Sequence, residues 1–200
     1  MLSLNWSVLS VVLLLASLGS FSWGMRRFFF KPSGDNAGMK LIRACSSSFA
    51  LIHIVAIIVS QDVSPRQVFL AAIFYGSALA LFFWAIRTHG ERRLSAVFSP
   101  DSPQHLVNWG PYRFVRHPFY SAYLLTWIAG FMATGRWWLL PTIVVMVAVY
   151  HHASQIEEEK FASSTLAAEY RLYRQSTGRF FPNPLALLGA KKEADAAGVA

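Results

Sequence analysis

Charge is scarce in this chain. Asp, Glu, Lys and Arg make up 14% of its 200 residues, against about 25% in an ordinary soluble domain. So little polar side chain cannot clothe a water-facing globule, and a mean hydropathy of +0.39 argues against a soluble single-domain enzyme. Acidic residues are the rarest charges, ten against 18 basic ones, for a net charge of +8. Cysteine occurs once, at Cys45, which excludes a disulfide framework and a cysteine-built zinc site. No GxGxxG follows a strand, so a soluble nucleotide-binding fold is not encoded, and no internal repeat is evident. Strand signals are missing too: β-branched residues such as those of Ile54 to Val59 sit inside long apolar runs, where helix is the simpler assignment. The same apolar composition excludes disorder for most of the length.

What the chain has instead is apolar runs separated by short basic or turn-rich connections. They cover residues 4–23, 44–60, 68–86, 119–134 and 137–153. A spanning helix needs about 17–25 residues, which the first three satisfy. The last two are shorter, joined only by Gly135-Arg136, and are expected to form a tight helical hairpin whose full crossing is left open. The expected fold class is therefore all-α: a polytopic integral membrane protein of about five transmembrane helices. One membrane-embedded domain is expected over residues 1–188, followed by a mobile tail over residues 189–200, rich in Ala, Lys, Glu, Asp and Gly.

The distribution of basic residues predicts the orientation. The first run resembles a secretory signal, but no Lys or Arg precedes Arg26, and a signal needs a positive start. A retained helix is expected. Assigning connections alternately, Gly24 to Arg43 holds five basic residues, Arg87 to Arg116 another five, and the chain after Tyr150 six. The opposite side receives Arg66 and Arg136. Positive residues favour the cytoplasmic side, so the N-terminus is expected outside and the C-terminus in the cytoplasm. Short loops and no sorting motif suggest a bacterial inner membrane. This asymmetry accounts for an isoelectric point near 10.0 without a nucleic-acid partner, for which no groove-reading element is present.

Two cytoplasmic segments concentrate the polar chemistry. The first runs from Gln104 to Tyr120 and contains a Gly110-Pro111 turn. Pro118 stands where the fourth helix should begin, since proline is tolerated in a first turn. Arg116 and His117 then lie at a helix N-terminus, where open N–H groups favour an anion. A bound carboxylate is one reading; an Arg-His pair reaching toward lipid phosphates is the other. The second segment, His151 to Phe161, extends the fifth helix and puts His151, Ser154 and Glu158 on one face. The run Glu157-Glu158-Glu159 is either a solvated helix end partly neutralised by Lys160 or a site for a cationic ligand. His151-His152 invites a metal reading, but the adjacent histidines diverge and no HExxH-type spacing is present, so no metal is expected. Beyond it, Tyr170 and Tyr173 form an aromatic stripe that serves either packing or ligand contact, on an amphipathic stretch expected to lie across the membrane surface. Gly178-Arg179-Phe180-Phe181-Pro182 closes the ordered part.

Gly-Pro-Tyr-x-x-x-Arg-His-Pro-x-Tyr from Gly110 to Tyr120, then an apolar hairpin, a Glu-Glu run and Tyr-x-x-Tyr, resembles the isoprenylcysteine carboxyl methyltransferases and their bacterial relatives. Related patterns occur in phospholipid N-methyltransferases. The resemblance covers residues 104–182; the first three helices match in character only. It implies an S-adenosylmethionine-dependent methyltransferase with its cofactor between the start of the fourth helix and the extension of the fifth. Gln104, His105, Leu106, Val107, Tyr112, His117, Pro118, Phe119 and Tyr120 would line the pocket. Glu158 would close it, with Arg116, His117 and Glu158 in catalytic positions. The cofactor's carboxylate suits Arg116 and His117, and its ammonium, sulfonium and ribose hydroxyls suit a glutamate. The prenylcysteine enzymes carry an arginine one turn before the pocket glutamate; here that position is Ser154, with His151 and Gln155 beside it as candidate substrate contacts. The expected acceptor is a lipophilic molecule entering from the membrane, methylated at a carboxylate oxygen. The alternatives are a phospholipid or amine N-methyltransferase, a thiol S-methyltransferase, and a non-catalytic protein binding membrane lipids or a partner.

Overall fold

The computed structural model describes residues 6–29, 37–60, 62–90 and 103–184. The expected tail at 189–200, the first two residues of the run starting at 4, and parts of two basic connections lie outside the described residues. Six α-helices follow in order: α1 (Trp6–Phe28), α2 (Ala37–Val59), α3 (Pro65–His89), α4 (Pro118–Thr134), α5 (Leu140–Ala162) and α6 (Ala167–Ser176). Among the described residues there is no strand, only an isolated parallel bridge between Val115 and Gly178. The protein is an all-α polytopic membrane protein. α1, α2, α3 and the helical stretch Trp137–Ala162 are each long and apolar enough to span a bilayer.

Local signals fix where the helices start. Ser64 Oγ accepts the Gln67 amide while Gln67 Oε1 accepts the Ser64 amide at 2.8 Å, and Pro65 takes the first helical position. That capping box satisfies two donors the helix cannot. Pro118 opens α4 in the same way, with His117 as its cap residue. α4 has 17 residues, ten of them buried, so it is the central helix, enclosed by its neighbours. Its chief partner is α3, and small residues bring the two close: Ala71, Ala78 and Ala85 on α3, and Ala122, Ala129 and Ala133 on α4, all buried. Small side chains let backbones approach where lipid gives no hydrophobic drive to associate. Gly130 carries this furthest, because a Cβ there would stand 2.2 Å from His53 Nδ1. His53 also binds Thr142 Oγ1 at 2.9 Å, and Thr142 donates to the Leu139 carbonyl. His53 therefore donates through Nε2, and the contact ties α2 to α5 across α4.

The expected extension of the fifth helix over His151 to Phe161 is present: α5 has 23 residues and ends at Ala162. Apolarity stops at Tyr150, but nothing from His151 to Ala162 interrupts helical hydrogen bonding. α4, however, pairs with α3 rather than principally with α5, so the hairpin is not the tight unit expected. The stretch around Tyr170 forms α6, and its aromatic stripe packs inward. Tyr170 and Tyr173 are buried with Leu106, and Phe161 packs against them.

Candidate active site

The site lies at the end of the bundle where α4 begins, α5 projects past its apolar part and α6 folds back. After α6 the chain forms a strap that runs parallel to the segment before α4. The Arg116 amide donates to the Gly178 carbonyl at 2.8 Å, the His117 amide to the Arg179 carbonyl at 3.1 Å and the Gly178 amide to the Phe114 carbonyl at 3.3 Å. Ser121 Oγ reaches the Phe180 carbonyl at 2.7 Å. The amide of the cap residue His117, and that of Arg116 before it, are thus satisfied by the strap.

Glu158 is the centre of a buried charge cluster. Its Oε1 accepts from Arg116 Nε at 3.1 Å, His117 Nε2 at 3.2 Å and Arg179 Nε at 3.0 Å, and its Oε2 from Arg179 Nη2 at 2.9 Å. The Arg179 contact is the bidentate fork geometry that gives strong charge-assisted pairs. Arg116 also donates to the carbonyls of Arg174 and Thr177, which fixes its guanidinium. Glu157 engages the other side of the same segment: His117 Nδ1 at 3.1 Å and Tyr120 Oη, which donates at 2.7 Å. Burial works against a charged His117, but the hydrogen bonds to Glu157 and Glu158 outweigh it and its pKa is raised. With a carboxylate at each ring nitrogen, His117 is an imidazolium. Burial also disfavours charge on Glu158, which stands on α5 beyond the apolar stretch. His117, Arg179 and Arg116 more than offset this and hold it well below the usual carboxylate range.

Arg116, His117, Tyr120 and Glu158 are therefore brought together. Pro118 is buried at the head of α4. Leu106 packs on Tyr170 and Tyr173, with Val107 half-buried beside it and Gln104 and His105 exposed. The Tyr112 hydroxyl meets His89 Nε2 at 2.8 Å, and the Tyr112 carbonyl accepts from Tyr173 Oη at 2.7 Å. Phe119 turns into the bundle against Phe82 and Phe29. Ser154 is buried, but its hydroxyl is spent on the His151 carbonyl of its own helix. His151 is exposed and lies 2.9 Å from Arg179 Nη1. Gln155 lines a cleft with Glu158, Glu159, Ala162, Arg174 and Arg179. Carboxylates and guanidiniums side by side there can receive a zwitterion.

Sequence reasoning overlooked Arg179 as a site residue. A single arginine in a Gly-to-Pro turn carries no local signal, and only the fold shows that the strap returns it to Glu158. Glu157 was also undervalued, because a one-residue step along a helix was expected to turn it away. His117 bridges both carboxylates.

A bundle of apolar helices capped by this Arg-His-Glu cluster defines a class, the integral-membrane methyltransferases that the motif resembles. The chain belongs to the phospholipid methyltransferase family, which matches residues 66–169, from the first turn of α3 into α6. That family stands in the same group of membrane methyltransferases as the isoprenylcysteine carboxyl methyltransferases. The protein is thus a membrane-bound methyltransferase. No curated protein sequence matches it.

Proposed function

We propose that the protein methylates a lipophilic acceptor entering from the bilayer, using S-adenosylmethionine, and that the methylated atom is a carboxylate oxygen. The observation that carries this is the charge of the cluster. Arg116, Arg179 and the His117 imidazolium face Glu157 and Glu158, one positive charge in excess. On the rim Arg174 and Glu159 cancel. When bound, S-adenosylmethionine supplies an electrophilic methyl group on a sulfonium and adds a further net positive charge, so an anionic acceptor completes the balance. The cleft beside Glu158 fits the cofactor's amino-acid end, with arginines for its carboxylate and glutamates for its ammonium.

The residues bind and align; they need not transfer a proton. A carboxylate is already ionised, so rate enhancement rests on holding acceptor and methyl carbon in line and on excluding water. Arg116 positions Glu158 and His117, and Arg179 supplies the cation that Ser154 does not. The family match favours a second reading, N-methylation of a phospholipid headgroup amine. Such an acceptor must lose a proton, a step the carboxylate does not need.

The test is incubation of purified protein with methyl-labelled S-adenosylmethionine and a membrane lipid extract, followed by mass spectrometry. A product whose label mild base releases as methanol is a methyl ester, as proposed. A base-stable methylated amine would replace the carboxylate by the amine. Absence of saturable cofactor binding up to millimolar concentration, in several detergents and lipids, would leave a non-catalytic lipid-binding protein.

A further inference from the structure

Four buried polar atoms have no hydrogen-bond partner among the described residues: Ser10 Oγ, His53 Nδ1, Tyr75 Oη and Tyr123 Oη. Three belong to sealed positions, since Ser10, His53 and Tyr75 are fully buried. Tyr123 differs. Its hydroxyl is buried too, but its ring is partly accessible and packs between Phe21, 4.8 Å away, and aromatic residues at the site. Its ring lies 6.3 Å from that of Tyr120 and 5.8 Å from that of Tyr150, and Tyr120 and Tyr150 are stacked 5.2 Å apart. The other two hydroxyls have partners: Tyr120 donates to Glu157, and Tyr150 accepts from Trp127. Among these three tyrosines only Tyr123 has a hydroxyl with no partner of either kind. An unmade buried hydrogen bond is costly and natural structures keep few.

We infer that Tyr123 is a substrate-contacting residue whose hydroxyl donates to an oxygen of the membrane-borne acceptor, one helical turn deeper than the atom that is methylated. The inference rests on the function proposed above and adds to it a feature of the substrate. α4 runs from the charge cluster into the membrane, and three residues advance about 4.5 Å along a helix. The acceptor is therefore an amphiphile with a second oxygen function, such as an ester, amide or phosphate, about that far below the reacting group. A plain hydrocarbon chain attached there would leave the Tyr123 hydroxyl unpaired.

The experiment compares wild type, Tyr123→Phe and Tyr75→Phe in transfer from labelled S-adenosylmethionine to vesicles of total membrane lipid extract. Tyr123→Phe is expected to raise the apparent KM for lipid about three- to tenfold, the worth of one hydrogen bond, with the cofactor Kd unchanged. Its thermal midpoint should stay level or rise, because the hydroxyl removed has no partner in the fold. Tyr75→Phe, whose hydroxyl is equally unpaired but sealed, should leave KM unchanged. An active wild type with the same lipid KM in Tyr123→Phe would overturn this inference alone. So would a lowered midpoint in Tyr123→Phe, which would reveal an internal partner. A wild type that transfers no label would overturn the proposed function, and this inference with it.

Discussion

Glu157, Glu158 and Glu159 are chemically identical in sequence and differ only in what they face. Glu158 is 6% exposed and holds two arginines and a histidine, Glu157 is 30% exposed and holds His117 and Tyr120, and Glu159 is on the open side. Glu158→Gln strips the charge from a buried pair, a change that costs about 3–5 kcal/mol. Glu157→Gln should cost about 1–2 kcal/mol, the range of one charge-assisted hydrogen bond, and Glu159→Gln almost nothing. Thermal unfolding and S-adenosylmethionine binding should both follow that order; equal effects at all three would deny Glu158 its central place. His117 adds a pH dependence. Its folded pKa lies above the ordinary 6.5, so the stability it contributes is complete below about 6.5 and is lost as pH rises through the raised value. The wild-type thermal midpoint should fall over that alkaline side, and His117→Asn should flatten the fall. Arg116, His117, Tyr120 and Glu158 were legible because a proline, a turn and a run of acids mark their segments. Arg179 was not, because its partner is 21 residues away across a reversal of the chain.

The strap after α6 is the element on which the site depends. It satisfies the backbone donors of Arg116 and His117 and delivers Arg179. Its weak point is Gly178: a Cβ built there would stand 1.7 Å from the Phe181 carbonyl oxygen. Backbone cannot yield that much locally, so Gly178→Ala should displace the strap. We expect loss of cofactor binding and a destabilisation of about 1–3 kcal/mol, the range for overpacked sites. Ser121→Ala, which removes a single hydrogen bond to the Phe180 carbonyl, should cost about 0.5–1.5 kcal/mol and leave the strap in place. Thermal unfolding of the two variants, with cofactor binding measured beside it, checks the contrast. If Gly178→Ala binds normally, the strap is dispensable. The start of α4 was readable from Pro118, and the first three helices from their apolar runs. The end of α5 was readable as well, from the helical spacing of His151 to Phe161 and not from apolarity, which stops at Tyr150. The pairing of α4 with α3 was hidden: small residues such as Ala78 and Ala122 signal close approach without naming the partner.

Across the whole molecule, charge and packing agree on two unlike ends. Sixteen of the 18 basic residues fall in the connections and tail assigned to one side, leaving Arg66 and Arg136. The fold, which knows nothing of that count, brings the second end together: Arg136 Nε lies 3.3 Å from Ser60 Oγ, and a Cβ on Gly135 would meet the Gln67 side chain at 3.0 Å. The first end holds the Arg116–Glu158–Arg179 cluster. We propose that this end faces the cytoplasm, on two grounds: a positive flank favours that side, and the proposed soluble cofactor is found there. Reporter fusions at Gly90 and at the C-terminus should be active as cytoplasmic fusions, and one at the Gly135-Arg136 turn as an external fusion. An external C-terminus would separate the cluster from any cytoplasmic cofactor, and would defeat the charge argument and the proposed function together. A second variant guards against a reporter that itself sets the topology. Adding two lysines beside Arg136 should lower the fraction correctly inserted, because it weakens the asymmetry, whereas two lysines beside Arg87 should not.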